Sequence, residues 1–131
     1  MGLFLYSSNV KSEHMNTTTT GNHAENAASE ALQKQGYTII IQNWKTPFAE
    51  IDIVAEKNKT LYFVEVKYRR TNYAGDGFDY ITTQKLLHMQ RAAEAYVREA
   101  QWRGSYELMA VSVMGEPDNL TLEFRDVSET L

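Results

Sequence analysis

Residues 48–55 (FAEIDIVA) and 61–68 (LYFVEVKY) carry charged side chains on stretches otherwise rich in Ile, Val, Phe and Tyr, the residue types favoured on a pleated, half-buried surface. Strand side chains alternate in direction. Glu50 and Asp52 are therefore expected on one face of the first run, and Glu65 and Lys67 on one face of the second. Ile51, Ile53 and Ala55 take the opposite face, as do Tyr62, Val64, Val66 and Tyr68. Charges in such positions require a partner or a ligand. Hard divalent cations such as Mg²⁺ or Mn²⁺ take oxygen ligands, typically one or two carboxylates with water or phosphate completing the shell. Asp52 and Glu65 could supply those carboxylates, joined by the carbonyl of Val66. Lys67 stands where an amine could orient or deprotonate an attacking water and offset charge on a phosphate. The same residues would also make an ordinary cross-strand salt bridge, Lys67 with Asp52 or Glu65, worth well under about 1 kcal/mol when solvated. A Glu-x-Lys spacing does not by itself decide between the two.

These residues need elements to hold them. The break at 56–60 (EKNKT) has turn composition, so the two runs form an antiparallel hairpin. Upstream, Ala24, Ala27, Ala28, Ala31 and Leu32 recur at helical spacing, which predicts a helix from about Asn22 to Gln35 with Gly36 as its stop. Glu25 borders that stripe, either as a first-turn acid favoured by the helix dipole or as a carboxylate aimed at the sheet, where it could reach the same cation through water or hold a second one. Residues 37–43 read as a strand, and the consecutive isoleucines 39–41 predict burial on both sides. Trp44 to Pro47 forms a turn into the hairpin, and a polar, glycine-bearing loop spans 69–77. A second helix starts at Thr82 or Thr83 and runs to about Trp102, burying Leu86, Met89, Ala93, Tyr96, Val97 and Ala100, with Gly104 ending it. Strands over 107–114 and 120–127 flank a turn at 115–119.

A length of 131 residues suits one domain with a modest core. Residues 1–20 are expected to be a disordered arm outside the fold: the apolar start is too short for a signal peptide, 16–20 is low-complexity, and His14-Met15 resembles a cloning junction. The single domain is then 21–131. The chain has no cysteine, which excludes disulfides and thiolate metal sites. No apolar run approaches the ~20 residues that cross a bilayer, so a cytoplasmic protein with no membrane partner is expected. The net charge of -4 argues against a strongly basic nucleic-acid binder, although bound cations would cancel clustered acids and local patches outweigh the sum. One such patch is Lys67, Arg69 and Arg70 with Tyr68 and Tyr73, able to track a phosphate backbone and stack on unpaired bases, or equally to be a solvated charge run. Lys85 and Arg91 would extend it or be ordinary surface cations. His23 and His88 lack metal-ligand spacing and read as surface residues.

The runs AEIDIVA at 49–55 and FVEVK at 63–67 with Arg69 resemble the YraN family of small bacterial proteins. The likeness continues through GNHAE at 21–25, Gly36-Tyr37, Gln42-Asn43, Lys85, Ala92-Ala93 and Tyr96, covering about residues 21–127. That family is assigned to the restriction-endonuclease-like superfamily and is similar to archaeal Holliday-junction resolvases. The resemblance implies an α/β fold with a central mixed five-stranded sheet flanked by helices, in the order α-β-β-β-α-β-β. It places Glu25, Asp52, Glu65 and Lys67 at the four active-site positions, with Asp52, Glu65 and Glu25 as metal ligands and Glu50 as a supporting acid. Arg69, Arg70, Tyr73 and Lys85 would be the nucleic-acid contacts. The implied activity is Mg²⁺-dependent (or Mn²⁺-dependent) phosphodiester hydrolysis in DNA, with a homodimer if the substrate is branched. This sequence departs from the family at Ala24 and Ala49, where glycine is usual, and at Glu107, where an Asp is usual. The alternative is a non-catalytic nucleic-acid-binding or protein-interaction module on the same fold.

Overall fold

A computed structural model describes residues 4–8, 17–71 and 77–128 of the chain, with side chains from residue 22 onward. In chain order the elements are β1 (Phe4–Ser8), α1 (Thr17–Lys34), β2 (Thr38–Lys45), β3 (Glu50–Lys57), β4 (Thr60–Arg69), α2 (Thr83–Ala100), β5 (Ser105–Glu116) and β6 (Asn119–Asp126). They build one six-stranded sheet in the order β1-β6-β5-β4-β3-β2. Strands β4 and β5 are parallel, joined through α2, and the other neighbours are antiparallel. Five of these strands and both helices are those expected from the sequence. The sixth is a difference, because residues 4–8 pair with β6 instead of standing outside the fold. Unpaired, β6 would present an open row of backbone donors and acceptors, and β1 satisfies it. Residues 17–20 of the expected arm are helical too, so α1 begins about five residues ahead of the predicted start, while residues 9–16 lie outside the described residues.

The sheet is covered on both faces. Ala24, Ala27, Ala28, Ala31 and Leu32 of α1 are all nearly solvent-free and pack on Ile53, Ala55, Val64, Met109, Val111 and Phe124. Four alanines let this helix backbone lie close to the sheet. On the other face, Leu86, Met89, Ala92 and Ala93 of α2 pack on Val54, Leu61, Phe63, Leu108 and Ala110, with Tyr96 edge-on to both Trp44 and Phe63. Ala100 is exposed, so the buried stripe of α2 ends earlier than its spacing predicts. Gly36, at φ +95°, stops α1 as expected. The end of α2 differs, since Gln101 takes the left-handed cap at φ 54° and Gly104 plays no such part. The Thr82 hydroxyl accepts from the Lys85 N–H at 3.1 Å and caps the start. Neither Ala24 nor Ala49 has a positive φ, so alanine serves at both positions without backbone strain.

The isoleucine run of β2 is not buried on two sides. Ile40 is 43% and Ile41 37% exposed, because β2 is the last strand of the sheet and a bulge between Ile39 and Ile41 breaks its register. Stability should follow this division. Leu32→Ala empties a sealed site between α1 and the sheet and is expected to cost about 2–5 kcal/mol in urea unfolding, whereas Ile41→Thr should change stability by less than about 1 kcal/mol.

Candidate active site

Strands β3 and β4 pair from Lys57↔Thr60 up to Ile53↔Val64, and there the ladder stops, although both strands continue. Beyond it, β3 stays with β2 through Trp44↔Ile51 and Lys45↔Glu50. The two strands fork, and Asp52 sits in the opening. Its Oδ2 accepts a hydrogen bond from the Val66 N–H at 2.8 Å, satisfying a donor that the missing ladder would have left unpaired. The expected alternation of β3 breaks at this residue. Ile53 and Ala55 face α1, but Ile51 packs on the α2 side with Val54. Its neighbour β2 changes sides over the same step: Gln42 reaches Asn26 of α1 at 3.3 Å, while Trp44 meets Tyr96 of α2. Asn43, between them, is left-handed at φ 56°, a conformation asparagine tolerates better than most residues.

The opening brings together acids from both layers. Burial, then the Glu65 charge, pushes the Asp52 carboxyl up to about 7, with Glu25 and Glu50 adding to the effect and the Val66 N–H opposing it. Burial also raises Glu25, reinforced by Glu50 and Glu65 and opposed by Lys45 and by a hydrogen bond from the Asn43 side chain. The Glu65 charge, on the α2 face of β4, reaches Glu25 on α1 at the level where the β3–β4 ladder has ended. Glu25 is thus turned toward the sheet; α1 begins at Thr17, which puts this residue two turns into the helix and removes the first-turn, dipole-favoured reading. Its Oε1 is buried with no hydrogen-bond partner among the described residues.

Two carboxyls raised by burial and by neighbouring acids, one of them with an orphaned acceptor oxygen, match in donor type what a hard cation requires. Among the described residues, however, no group of three or more His, Cys, Asp or Glu is close enough together to cage an ion on its own. Water and phosphate oxygens would have to complete the shell, as they commonly do for Mg²⁺.

The remaining expected residues divide. Glu65 Oε1 pairs with Lys85 Nζ at 2.8 Å, so Lys85 holds an acid of the cluster as well as facing solvent. Lys67 shares the α2 face of β4 with Glu65, is exposed, and has no ion pair among the described residues. Glu50 is exposed at the rim. Arg69 lies over the ring of Tyr80, 5.9 Å from its centroid. Arg70 is engaged elsewhere, binding Glu116 through Nη2 at 3.0 Å and Nε at 3.2 Å. Tyr73 lies outside the described residues. Glu107 stands opposite Tyr62 in β4, near Tyr37, and away from the acids.

Other contributors were not legible in the sequence. Tyr80 is raised above the ordinary phenol range by burial and by both Glu65 and Asp52, which places its ring beside them. A pocket of about 340 Å³ opens against the cluster, lined by Phe48, Ala49, Glu50, Glu65, Lys85, His88, Met89 and Arg91. His88, expected as a plain surface residue, and Arg91, expected either to extend the basic patch or to be an ordinary surface cation, line it one and two turns beyond Lys85. His23, by contrast, is not the surface residue expected: it is half-buried, with Nε2 lacking a hydrogen-bond partner among the described residues. The i, i+3, i+6 spacing of Lys85, His88 and Arg91 was the available signal.

The profile of the uncharacterised protein family UPF0102 matches residues 24–113, a span that includes Glu25, Asp52, Glu65 and Lys67. A UPF0102 protein of Cytophaga hutchinsonii is 36% identical over 116 residues, covering 88% of this chain and 98% of its own length. One of Fusobacterium nucleatum is 39% identical over 89 residues, covering 68% and 75% respectively. Another, from Desulfosudis oleivorans, is 40% identical over 99 residues, covering 76% and 80%. No described helix is long and apolar enough to cross a membrane.

The raised Asp52 carboxyl has a consequence for stability. Its ordinary value is 3.8 and its folded value about 7. Between those limits the native state keeps a proton that the unfolded chain has lost, so its contribution to stability is full below about pH 4 and is lost as pH rises through 7. In EDTA, Asp52→Asn should therefore melt higher than the parent by a margin that grows by several degrees between pH 5 and pH 8. A margin independent of pH in thermal melts would contradict this.

Proposed function

We propose that this chain, which belongs to the uncharacterised protein family UPF0102, is a metal-dependent endonuclease hydrolysing phosphodiester bonds in DNA, branched or otherwise structured DNA in particular. The fold is read as restriction-endonuclease-like, in keeping with the resemblance to the YraN family. The observation that carries the proposal is Asp52 held in the fork by the Val66 N–H, its charge opposed by Glu25, Glu50 and Glu65. Such mutual repulsion favours a cation at that point.

Asp52 and Glu65 would provide the carboxylate oxygens for Mg²⁺ or Mn²⁺, and Glu25 would support the ion from α1. When bound, the ion would lower the pKa of its water and neutralise charge on a phosphate oxygen. Asp52 stays in place through Val66, and Lys85 fixes the Glu65 side chain. Lys67, without an ion pair among the described residues and two residues beyond Glu65, orients the attacking water and offsets charge on the phosphate, while the water's proton passes to solvent. The water oxygen forms the new bond to phosphorus, one bridging phosphorus–oxygen bond breaks, and the leaving oxygen is protonated. Cutting both strands of a branched substrate would need two such sites and hence two copies of the chain.

A second reading, a non-catalytic nucleic-acid-binding module, is favoured by the absence of a ready three-donor cage among the described residues. Purified protein incubated with branched, single-stranded and duplex DNA in Mg²⁺, Mn²⁺ or EDTA separates the two. Cleavage should require the metal and fall by at least about 100-fold in Glu65→Ala and Lys67→Ala. Equal cleavage by the variants would remove this site. Binding that persists in Asp52→Asn, with no cleavage by the parent under any metal, would favour the module.

A further inference from the structure

Phe48 is 97% exposed, the least covered of the large apolar side chains among the described residues. It is held there by its turn. Thr46 N–H donates to the Ala49 carbonyl at 2.8 Å and Phe48 N–H donates to the Thr46 hydroxyl at 3.2 Å. Pro47 and Phe48 thus form the tip of a tight connection between β2 and β3, with Lys45 and Glu50 paired beneath it. The ring stands on the wall of the 340 Å³ pocket that reaches Glu50 and Glu65, facing the row of Lys85, His88 and Arg91 on α2. Among the described residues, neither the His88 nor the Arg91 side chain has an ion-pair or hydrogen-bond partner.

An open aromatic face, the basic side chains of Lys85 and Arg91 with the His88 imidazole between them on one helix, and the acids Glu50 and Glu65 on the same pocket wall make a specific chemical combination. The cations suit a phosphate backbone, and the ring suits the π-face of a base. In a duplex that face is covered by the neighbouring base pairs, so only an unpaired base can use it. A protein partner would also take an exposed phenylalanine, but it would not call for cations leading to the acids. We propose that Phe48 is a stacking platform that selects DNA with an unpaired base next to the phosphate to be cut, the strand lying along Lys85, His88 and Arg91. This rests on the nuclease reading and narrows its substrate to single strands, flaps and branch points.

The test is fluorescence anisotropy in Mg²⁺ with labelled single-stranded, flapped and blunt duplex DNA, all proteins carrying Lys67→Ala so that the strands are not consumed. Phe48→Ala, with an unchanged melting temperature, should weaken binding of single-stranded and flapped DNA by roughly 5- to 100-fold and leave blunt duplex binding unchanged. Phe48→Trp should restore it. If Phe48→Ala binds every DNA as its parent does, or weakens all of them alike, the stacking platform is overturned, while cleavage by the unaltered protein would keep the nuclease reading intact. If the parent binds no DNA and the unaltered protein cuts none, the nuclease reading falls and this inference with it.

Discussion

The hydrogen bond from the Val66 N–H to Asp52 is the interaction on which the site depends. Wherever two strands part, backbone groups lose their partners, and a buried unpaired donor is costly. Here a side chain replaces the missing strand. The substitution satisfies the Val66 N–H where the sheet opens, and it fixes a carboxylate at that point. Its cost is electrostatic, since Asp52 stands among Glu25, Glu50 and Glu65 with little water to screen it. A charge placed against such opposition is destabilising locally, and the two sealed faces of the sheet must offset it. Arrangements of this kind cluster at functional sites.

The flanking layers each contribute to that point for a physical reason. Alanines on α1 allow the helix to lie near enough to the sheet for Glu25 to reach the opening. On the opposite face, Lys85 ties the first turn of α2 to Glu65. Behind them, Tyr80 donates to the Val111 carbonyl at 3.4 Å and closes the site toward β5. Asn43 lets β2 turn over together with β3, so that the two strands remain paired while their side chains exchange faces. The acids therefore act on one another through a gap in the sheet and not across one of its faces.

Much of the scaffold was legible in the chain itself. The alanine stripe of α1, the Thr82 cap, the hairpin and the late strand pair all follow from periodicity and turn chemistry, which are local. The carboxylates were visible by type, and their placement on a hairpin followed from strand composition. What was not legible depends on neighbours distant in sequence. Strict alternation put Ile51 with Ile53, because nothing in the residues between them announces that β3 leaves β4 there. Three isoleucines suggested a central strand, and only the sheet order makes β2 an edge. Lys67 was the natural partner for Glu65 along the strand, but the partner is Lys85, one layer away. Pairing of residues 4–8 with β6 is a contact between segments more than a hundred residues apart, beyond the reach of any local pattern.

The turn at Asn58 and Lys59, both at positive φ (53° and 62°), joins β3 to β4 with Lys57 opposite Thr60. This two-residue connection matches the natural twist of the hairpin, and it also acts as the gauge for everything further along. Counting from it sets Ile53 against Val64, and so puts the Val66 amide within reach of Asp52. One residue more or less in that tip would slide the ladder and rotate every later side chain of one strand to the wrong face. The chemistry of the fork is thereby indexed by a solvent-facing bend about 20 Å away, a place where length, not composition, is what the protein must preserve.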